Sequence, residues 1–306
     1  MTARSRIGEA AALPLGPEGK AVRAGLFIGL GVVAFAHSMS FPAAIEFQNV
    51  WLYFDEKPAL SDVSFRVDRG ETLVLLGETG SGKSVILKLA LGLLKADEGK
   101  VFVEGRDLGP ITEKDMRGIR QRMGIVFQEG ALFDSLSVYE NVAYRLREEG
   151  MKNEDAITSR AREVLSFVEL EAAIDKMPAE LSGGMKRRVS IARAVVNDPP
   201  IMLYDSPTGG LDPVTAQTIN ILILKLRDVQ GVSSIVVTHR LQDAFWLARF
   251  AYSKDTGGLV AISGNGAKGP ESATRFLVLR AGSVYFHGTP DEVVSTRDPY
   301  LQQFLR

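Results

Sequence analysis

The chain has 306 residues, of which 45% are hydrophobic and 24% charged, and its formal net charge at pH 7 is −1. This composition is typical of a globular protein with a large core, and it lacks the basic excess expected of a protein whose main partner is nucleic acid. Because the sequence contains no cysteine, disulfide bonds and thiolate metal sites are excluded.

The first 44 residues differ from the rest of the chain. Several basic residues precede an apolar run at 24–36, a pattern similar to a secretory signal but too short to span a bilayer. We interpret residues 1–44 as a poorly ordered N-terminal extension, and a translation start at Met39 would explain it. A membrane-associating segment is the alternative.

Strand signals begin at Ile45. Residues 45–50 and 63–67 alternate between apolar and polar side chains and are bounded by turn-forming residues, so we predict two half-buried antiparallel strands. An aromatic cluster that includes Tyr53 and Phe54 lies between them. An aromatic ring at this position can stack on an adenine base, and packing in the core is the alternative.

A glycine-rich loop follows the apolar run 72–76 and precedes an apolar helical pattern. It matches G-x-x-x-x-G-K-[ST] between a strand and a helix, which is the context of a phosphate-binding loop. Glycines let backbone N–H groups converge on phosphate oxygens, and the helix N-terminus adds unpaired donors. We predict that Lys83 binds the β and γ phosphates of a nucleoside triphosphate and that Ser84 binds Mg²⁺; a tight connection without a ligand is the alternative. The predicted nucleotide-binding residues of this segment are Gly77, Glu78, Thr79, Gly80, Ser81, Gly82, Lys83, Ser84 and Val85.

Polar residues also follow later apolar segments. Gln128 ends an apolar run, and Asp205 ends the buried strand 201–205, where a phosphate-loop protein is expected to carry a carboxylate for Mg²⁺. His239 follows the buried strand 234–238. This is the edge where ligands bind in open α/β sheets, although a lone histidine is more often structural.

The segment between these strands has a helical pattern. Residues 129–180 show apolar side chains at three- and four-residue spacing, so we predict a helical subdomain inserted into the α/β core. Ser182, Gly183 and Gly184 then open a helix whose N-terminus can bind an anion, and a simple helix cap is the alternative. Farther on, residues 253–274 are rich in glycine, serine, lysine and asparagine, which predicts a flexible insertion.

In order and spacing, these motifs resemble those of an ABC-type ATPase over residues 45–306. They are the phosphate loop, Gln128, the Leu-Ser-Gly-Gly sequence at 181–184, Asp205, the Leu211-Asp212 loop and His239. The resemblance implies an α/β fold with a RecA-like phosphate-loop core, an antiparallel β-subdomain and an inserted α-helical subdomain. It also implies ATP and Mg²⁺ as cofactors and a second copy of the cassette as partner, paired head to tail.

The resemblance further implies a role for each matching residue. Phe54, or its neighbour Tyr53, stacks on adenine, and Ser182, Gly183 and Gly184 of one cassette close over the ATP held by the other. The implied metal-binding residues are Ser84, Gln128 and Asp205. The implied catalytic residues are Gln128, Asp212, His239 and Ser206.

Position 206 departs from the family pattern. The family carries a glutamate directly after the strand aspartate, where its carboxylate polarises the attacking water, and this chain has Ser206. A serine hydroxyl is not a general base at neutral pH. ATP binding and closure of the pair are therefore expected, whereas the rate of hydrolysis stays open. His239 and Asp212 are candidates for the missing base, and an ATP-binding switch with little hydrolysis is the alternative.

A narrower resemblance is to the ATPase subunit of MCE/Mla-type lipid transporters. It rests on the stretches 126–138 and 140–144, on Met185 where glutamine is usual, and on the ending at 298–305. It implies a peripheral subunit on the cytoplasmic face of the inner membrane, partnered by an integral-membrane permease and an MCE-type substrate-binding protein, with no nucleic acid. In such transporters the segment 129–144 lines the groove that receives the permease. An ABC transporter for another substrate is the alternative.

Overall fold

The computed structural model describes residues 42–262 and 273–304. In chain order the strands and helices are β1 (Ile45–Phe54), β2 (Lys57–Val67), β3 (Thr72–Gly77), α1 (Lys83–Ala90), β4 (Glu98–Val103), β5 (Arg106–Asp107), α2 (Glu113–Arg120), β6 (Met123–Val126), α3 (Val138–Glu148), α4 (Glu154–Phe167), α5 (Gly183–Val195), β7 (Ile201–Asp205), α6 (Pro213–Gln230), β8 (Ser233–Val237), α7 (Leu241–Arg249), β9 (Phe250–Ser253), β10 (Gly258–Ala261), β11 (Thr274–Arg280), β12 (Ser283–Gly288), α8 (Pro290–Ser295) and α9 (Pro299–Phe304). Two short 3₁₀ helices, Glu171–Ala173 and Pro178–Glu180, separate α4 from α5.

A six-stranded sheet forms the centre of the described part of the chain. Its spatial order is β12-β11-β3-β8-β7-β6, and all neighbouring pairs are parallel except β11 and β12. Every residue of β3 and β8 is buried, as expected for parallel strands covered by helices on both faces. The parallel strands end at one edge, so residues that follow β3, β7 and β8 meet there.

Side chains of the central strands alternate between two hydrophobic cores. Val74 and Leu76 pack into the core that includes α3, α4 and α5. Leu73 and Leu75 pack into the core that includes α1 and the antiparallel strands. Because successive side chains of a strand point to opposite faces of the sheet, one continuous apolar strand contributes to both cores.

A second, antiparallel sheet has the order β2-β1-β4-β5. The alternation predicted a strand at 45–50, and the observed strand β1 is longer because it continues to Phe54. Register shifts between Phe47 and Tyr53 interrupt the alternation of faces, and a bulged strand loses its two-residue period at such points. The aromatic cluster therefore belongs to the strand rather than to a connection.

The helical segment predicted at 129–180 contains α3, α4 and both 3₁₀ helices, preceded by a loop at 129–137. Helix α3 begins with a capping box: the backbone N–H of Ser137 donates to Glu140 Oε2 at 2.7 Å, and the Glu140 N–H donates to Ser137 Oγ at 3.2 Å. The parallel central sheet, the antiparallel sheet and the helical segment together confirm the predicted α/β fold class.

Two predicted boundaries differ from the structure. Ala43 and Ala44, which the sequence places in the extension, are buried, and the Ala44 N–H donates to the Val67 carbonyl oxygen at 2.9 Å; residues 1–41 lie outside the described residues. The predicted insertion at 253–274 contains the strand β10, paired with β9, and its last residue begins β11. Residues 263–272 lie outside the described part.

None of the helices within 42–262 and 273–304 combines the length and the apolar character needed to cross a membrane.

Candidate nucleotide site

The phosphate loop runs from the end of β3 to the first turn of α1. Gly82, which precedes α1, has a φ of +103°, and a Cβ there would lie 2.6 Å from Leu60 Cδ2 and 3.0 Å from the Ala59 carbonyl oxygen. Only glycine fits, because the backbone is left-handed and β2 lies against it. Helix α1 has no side-chain cap and no acidic residue in its first turn, so its N-terminus is suited to an anion.

The Lys83 ammonium lies over this loop. Nζ donates hydrogen bonds to the carbonyl oxygens of Gly77 at 2.9 Å and Glu78 at 2.6 Å. Burial lowers the pKa of Lys83, and the carboxylates of Asp205 and Glu78 oppose that shift. The loop therefore places a cation where phosphate oxygens can accept from it.

The Ser81 hydroxyl is a second donor in the loop. Ser81 is buried, and its Oγ has no hydrogen-bond partner among the described residues. Buried polar atoms are normally paired, so this orphaned hydroxyl fits a site that receives a phosphate. In the remainder of the segment, Glu78, Thr79, Gly80 and Ser84 are exposed and Gly82, Lys83 and Val85 are half-buried.

Ser84 and Asp205 meet although they are far apart in the sequence. Ser84 Oγ donates to Asp205 Oδ2 at 3.3 Å, because β3 and β7 both flank β8 and end at the same edge. A hydroxyl and a carboxylate are the hard oxygen ligands that Mg²⁺ prefers, so these two residues fit the predicted metal. Gln128 Nε2 is 3.7 Å from the Cβ position of Gly209, which places it beside the loop at 206–209, and its part in binding the metal stays a prediction.

Ser206 forms a tight turn directly after β7. Its φ is +48°, its N–H donates to the Val237 carbonyl oxygen at 2.9 Å, and its carbonyl oxygen accepts from the Gly209 N–H at 3.0 Å. The left-handed conformation costs a residue with a Cβ about 1–2 kcal/mol, and the two hydrogen bonds hold it. The side chain at this turn is a hydroxyl and provides no base.

The two candidates for the missing base, Asp212 and His239, differ in whether hydrogen bonds hold the side chain. Asp212 Oδ1 accepts from the N–H groups of Val214 and Thr215, both at 3.0 Å, and hydrogen bonds from Thr215 lead the effects that lower the pKa of Asp212. A carboxylate stabilised in this way is a weak base. His239 is exposed after the end of β8, and no hydrogen bond to another described residue holds its ring.

The helix-opening residues lie next to the loop that contains Asp212. Ser182 Oγ accepts from the Met185 N–H at 3.3 Å. A Cβ on Gly184 would lie 2.2 Å from Thr215 Cγ2, and one on Gly183 would lie 3.7 Å from Leu211 Cδ2. These residues therefore form one surface with the start of α6.

The aromatic residues at the end of β1 are accessible. Phe54 is 49% exposed and Tyr53 is 38% exposed, and the rings of Trp51 and Tyr53 are nearly parallel, 6.2 Å apart between centroids. Either exposed ring can accept a base, and the choice of Phe54 stays a prediction.

A buried polar network beside this site was missed in the sequence. Asp243 is buried and accepts hydrogen bonds from Thr208 Oγ1 at 2.5 Å and from Asn220 Nδ2 at 3.2 Å. It also forms an ion pair with Arg240, whose Nε lies 3.3 Å from Oδ2. The Arg240 Nη1 also donates to the carbonyl oxygens of Thr208 and Leu211. The network ties the segment after His239 to the loop that follows Ser206. An acid in the first turn of a helix is ordinary in a sequence, so no pattern indicated it.

We expect Asp243→Ala to destabilise the fold by about 2–4 kcal/mol, because it leaves the buried Thr208 hydroxyl and Asn220 amide without this acceptor and Arg240 without its ion partner. The free energy of unfolding in a urea titration measures this. Asp175→Ala, which removes an exposed acid, should change it by less than about 0.5 kcal/mol. Equal values for the two variants would show that the network contributes nothing to stability.

Comparison with known proteins identifies the family. The family model described as ABC transporter matches residues 60–209. The intermembrane phospholipid transport system ATP-binding protein MlaF of Haemophilus influenzae is 34% identical over 86% of this chain and 90% of its own length. The chloroplastic protein TRIGALACTOSYLDIACYLGLYCEROL 3 of Arabidopsis thaliana is 34% identical over 85% of this chain and 72% of its own length.

A solved structure is similar as well. The dimeric structure of a bacterial ABC transporter cassette has a TM-score of 0.66 and 31% identity, covering 80% of this chain and 98% of that one. Its fold agrees with the fold class predicted from the motifs. The chain therefore belongs to the ABC transporter family, as an ATP-binding cassette subunit and ABC-type ATPase.

Proposed function

We propose that the chain binds MgATP between two copies of itself and uses closure of that pair to drive an integral-membrane lipid transporter. The observation that carries the proposal is the meeting of Lys83, Ser84 and Asp205 at the carboxyl edge of the parallel sheet. Ser84 and Asp205 would hold Mg²⁺, which when bound neutralises charge on the phosphate oxygens. Lys83 and the backbone of the phosphate loop orient the triphosphate.

The head-to-tail pairing is supported by the surface around Ser182. Ser182, Gly183 and Gly184 combine a helix N-terminus with the start of α6, and an anion is the ligand that such a terminus favours. Val214, next to Asp212, is 75% exposed, as expected of an apolar residue covered by another copy. We infer that this surface closes over the ATP bound to the partner copy.

Hydrolysis in this pair is proposed to be slow. Ser206 offers no carboxylate, Asp243 is occupied by two hydrogen bonds and an ion pair, and Asp212 accepts two backbone hydrogen bonds within its own chain. His239 is the remaining candidate for proton transfer to the water. General-base help is typically worth about 10²–10⁴-fold, so a long-lived closed pair that acts as an ATP switch is the second candidate function.

A groove beside Gln128 is the proposed site for the permease. It has a volume of about 930 Å³. Charged residues form part of its lining, and the exposed apolar side chains in it are Leu93, Phe127, Phe133 and Tyr144. Large exposed apolar surfaces of this kind mark protein interfaces. A helical segment of an integral-membrane subunit is the occupant that the family architecture implies, and it would place the chain on the cytoplasmic face of the membrane as a peripheral subunit.

We expect Phe133→Asp to weaken assembly with the permease about thirtyfold, because it puts a charge among interface aromatics that typically contribute 2 kcal/mol or more. Pull-down from detergent-solubilised membranes measures this, and MgATP binding by the isolated chain should not change. Val229→Asp, at an exposed position of α6 outside the groove, is the control. Glu140 is unsuitable because it caps α3. Equal assembly of Phe133→Asp and wild type would place the permease elsewhere.

The lipid substrate is proposed from the names of the relatives, one of which is a phospholipid transport protein and one of which is named after a galactolipid. The test is purification of the tagged chain from the membranes of its own cell, followed by mass spectrometry of proteins and lipids. An integral-membrane permease, an MCE-type protein and enriched phospholipid are expected. A permease without enriched lipid would favour a transporter for another substrate.

A further inference from the structure

The phosphate loop carries an acidic residue close to its essential lysine. Glu78 is the only acid in the segment 77–84, and its charge acts on the Lys83 ammonium, together with that of Asp205. Asp205 is one of the two residues proposed to hold Mg²⁺, whereas Glu78 has no such role. A carboxylate free to approach Lys83 would compete with phosphate oxygens for the same donors and would repel their charge.

The structure holds this carboxylate against the C-terminal part of the chain. Tyr300, in α9, donates its hydroxyl proton to Glu78 Oε1 at 3.2 Å, across 222 positions of sequence. Burial first, and then the charge of Glu78, raise the pKa of Tyr300. The phenol therefore remains a donor over the whole physiological pH range.

The Tyr300 ring is itself fixed on several sides. The Arg280 guanidinium carbon lies 4.2 Å from its ring centroid, and the Tyr285 ring packs edge-on at 4.9 Å between centroids. Tyr285 donates its hydroxyl proton to Asp298 Oδ2 at 2.8 Å, and Asp298 Oδ1 accepts from the Leu301 N–H at 2.9 Å. These contacts hold the start of α9 in a defined position.

We propose that Tyr300 is a positioning residue for the nucleotide site: it anchors the Glu78 carboxylate on the C-terminal side of the phosphate loop and so leaves Lys83 to the β and γ phosphates of ATP. The C-terminal segment thereby sets the affinity of the phosphate loop. Tyr300 touches neither the nucleotide nor the metal in this role and acts only through Glu78.

The experiment is calorimetric titration of the full chain with MgATP in four variants. Since the inference rests on the nucleotide site itself, wild-type binding is measured first, and a wild type that does not bind refutes the proposed function rather than this inference. Tyr300→Phe should raise the dissociation constant about fivefold, the usual consequence of losing one hydrogen bond to a charged group. Tyr252→Phe, the control, removes a phenol hydrogen bond of the same kind, to the Gly257 carbonyl oxygen between β9 and β10, so it should stay within about twofold of wild type.

A double-mutant cycle separates positioning from general stability. Glu78→Gln removes the competing charge, so adding Tyr300→Phe to it should change the dissociation constant by less than about 1.5-fold. The inference is overturned if Tyr300→Phe weakens binding no more than Tyr252→Phe does. It is equally overturned if Tyr300→Phe reduces the affinity for MgATP as much with glutamine at position 78 as with glutamate there.

Discussion

Replacing Lys83 by alanine is expected to abolish tight MgATP binding. The ammonium is held by the carbonyl oxygens of Gly77 and Glu78 at the mouth of the loop, where it can donate to the β and γ phosphates. Hydrogen bonds between charged groups contribute about 1.5–3 kcal/mol each. Losing one or two of them should raise the dissociation constant about a hundredfold or more, which calorimetric titration of the isolated chain measures.

The same helix provides a control for this substitution. Lys88 lies in α1 and is exposed, so Lys88→Ala removes the same charge without removing a donor from the loop. Its dissociation constant for MgATP should stay within about twofold of wild type, because salt screens the effect of the exposed Lys88 ammonium on the bound phosphates. If Lys83→Ala binds as tightly as Lys88→Ala, the phosphate loop does not hold the triphosphate.

The second large effect is expected at position 206. Ser206→Glu should raise the rate of single-turnover ATP hydrolysis at least tenfold, and general-base catalysis sets an upper range of about 10²–10⁴-fold. The backbone is already left-handed with a serine there, so exchanging one side chain with a Cβ for another adds no new backbone strain. The new carboxylate would extend from the turn beside Gln128 and Gly209.

Ser206→Gln distinguishes the effect of a general base at position 206 from the effect of a larger side chain there. Glutamine has the size of glutamate but no basic carboxylate, so its rate should equal that of wild type. A wild-type rate that already matches ordinary cassettes, together with no gain from Ser206→Glu, would show that another residue supplies the base. Substituting His239 in the wild type is then the next comparison, since its ring is exposed and makes no hydrogen bond to another described residue.

The parts of the site that could be predicted are those carried by strand ends. The strands that lead to the site have unambiguous apolar sequences, and parallel strands bring their carboxyl ends to one edge. The site residues at or after these ends are Lys83, Ser84, Asp205 and His239. The contact between Ser84 and Asp205 follows from that rule although it spans 121 positions. The fold class could be predicted for the same reason.

The parts that could not be predicted depend on packing between distant elements. The hydrogen bond from Tyr300 to Glu78 joins a C-terminal helix to the phosphate loop, and neither residue stands out in its own segment. Asp243 looks like a surface acid until Thr208, Asn220 and Arg240 are seen to surround it. The strand at 45–50 was predicted, but its continuation to Phe54 was not, because a bulge changes which face a side chain occupies.

The most direct test of the account is the association state of the purified chain in sedimentation velocity, with and without MgATP. A nucleotide-driven pair that hydrolyses slowly should sediment as a dimer with MgATP and as a monomer without it, and Ser206→Glu should return to monomer within minutes as the nucleotide is consumed. A wild-type chain that stays monomeric at saturating MgATP, or that dimerises equally without nucleotide, would contradict an ATP-closed pair.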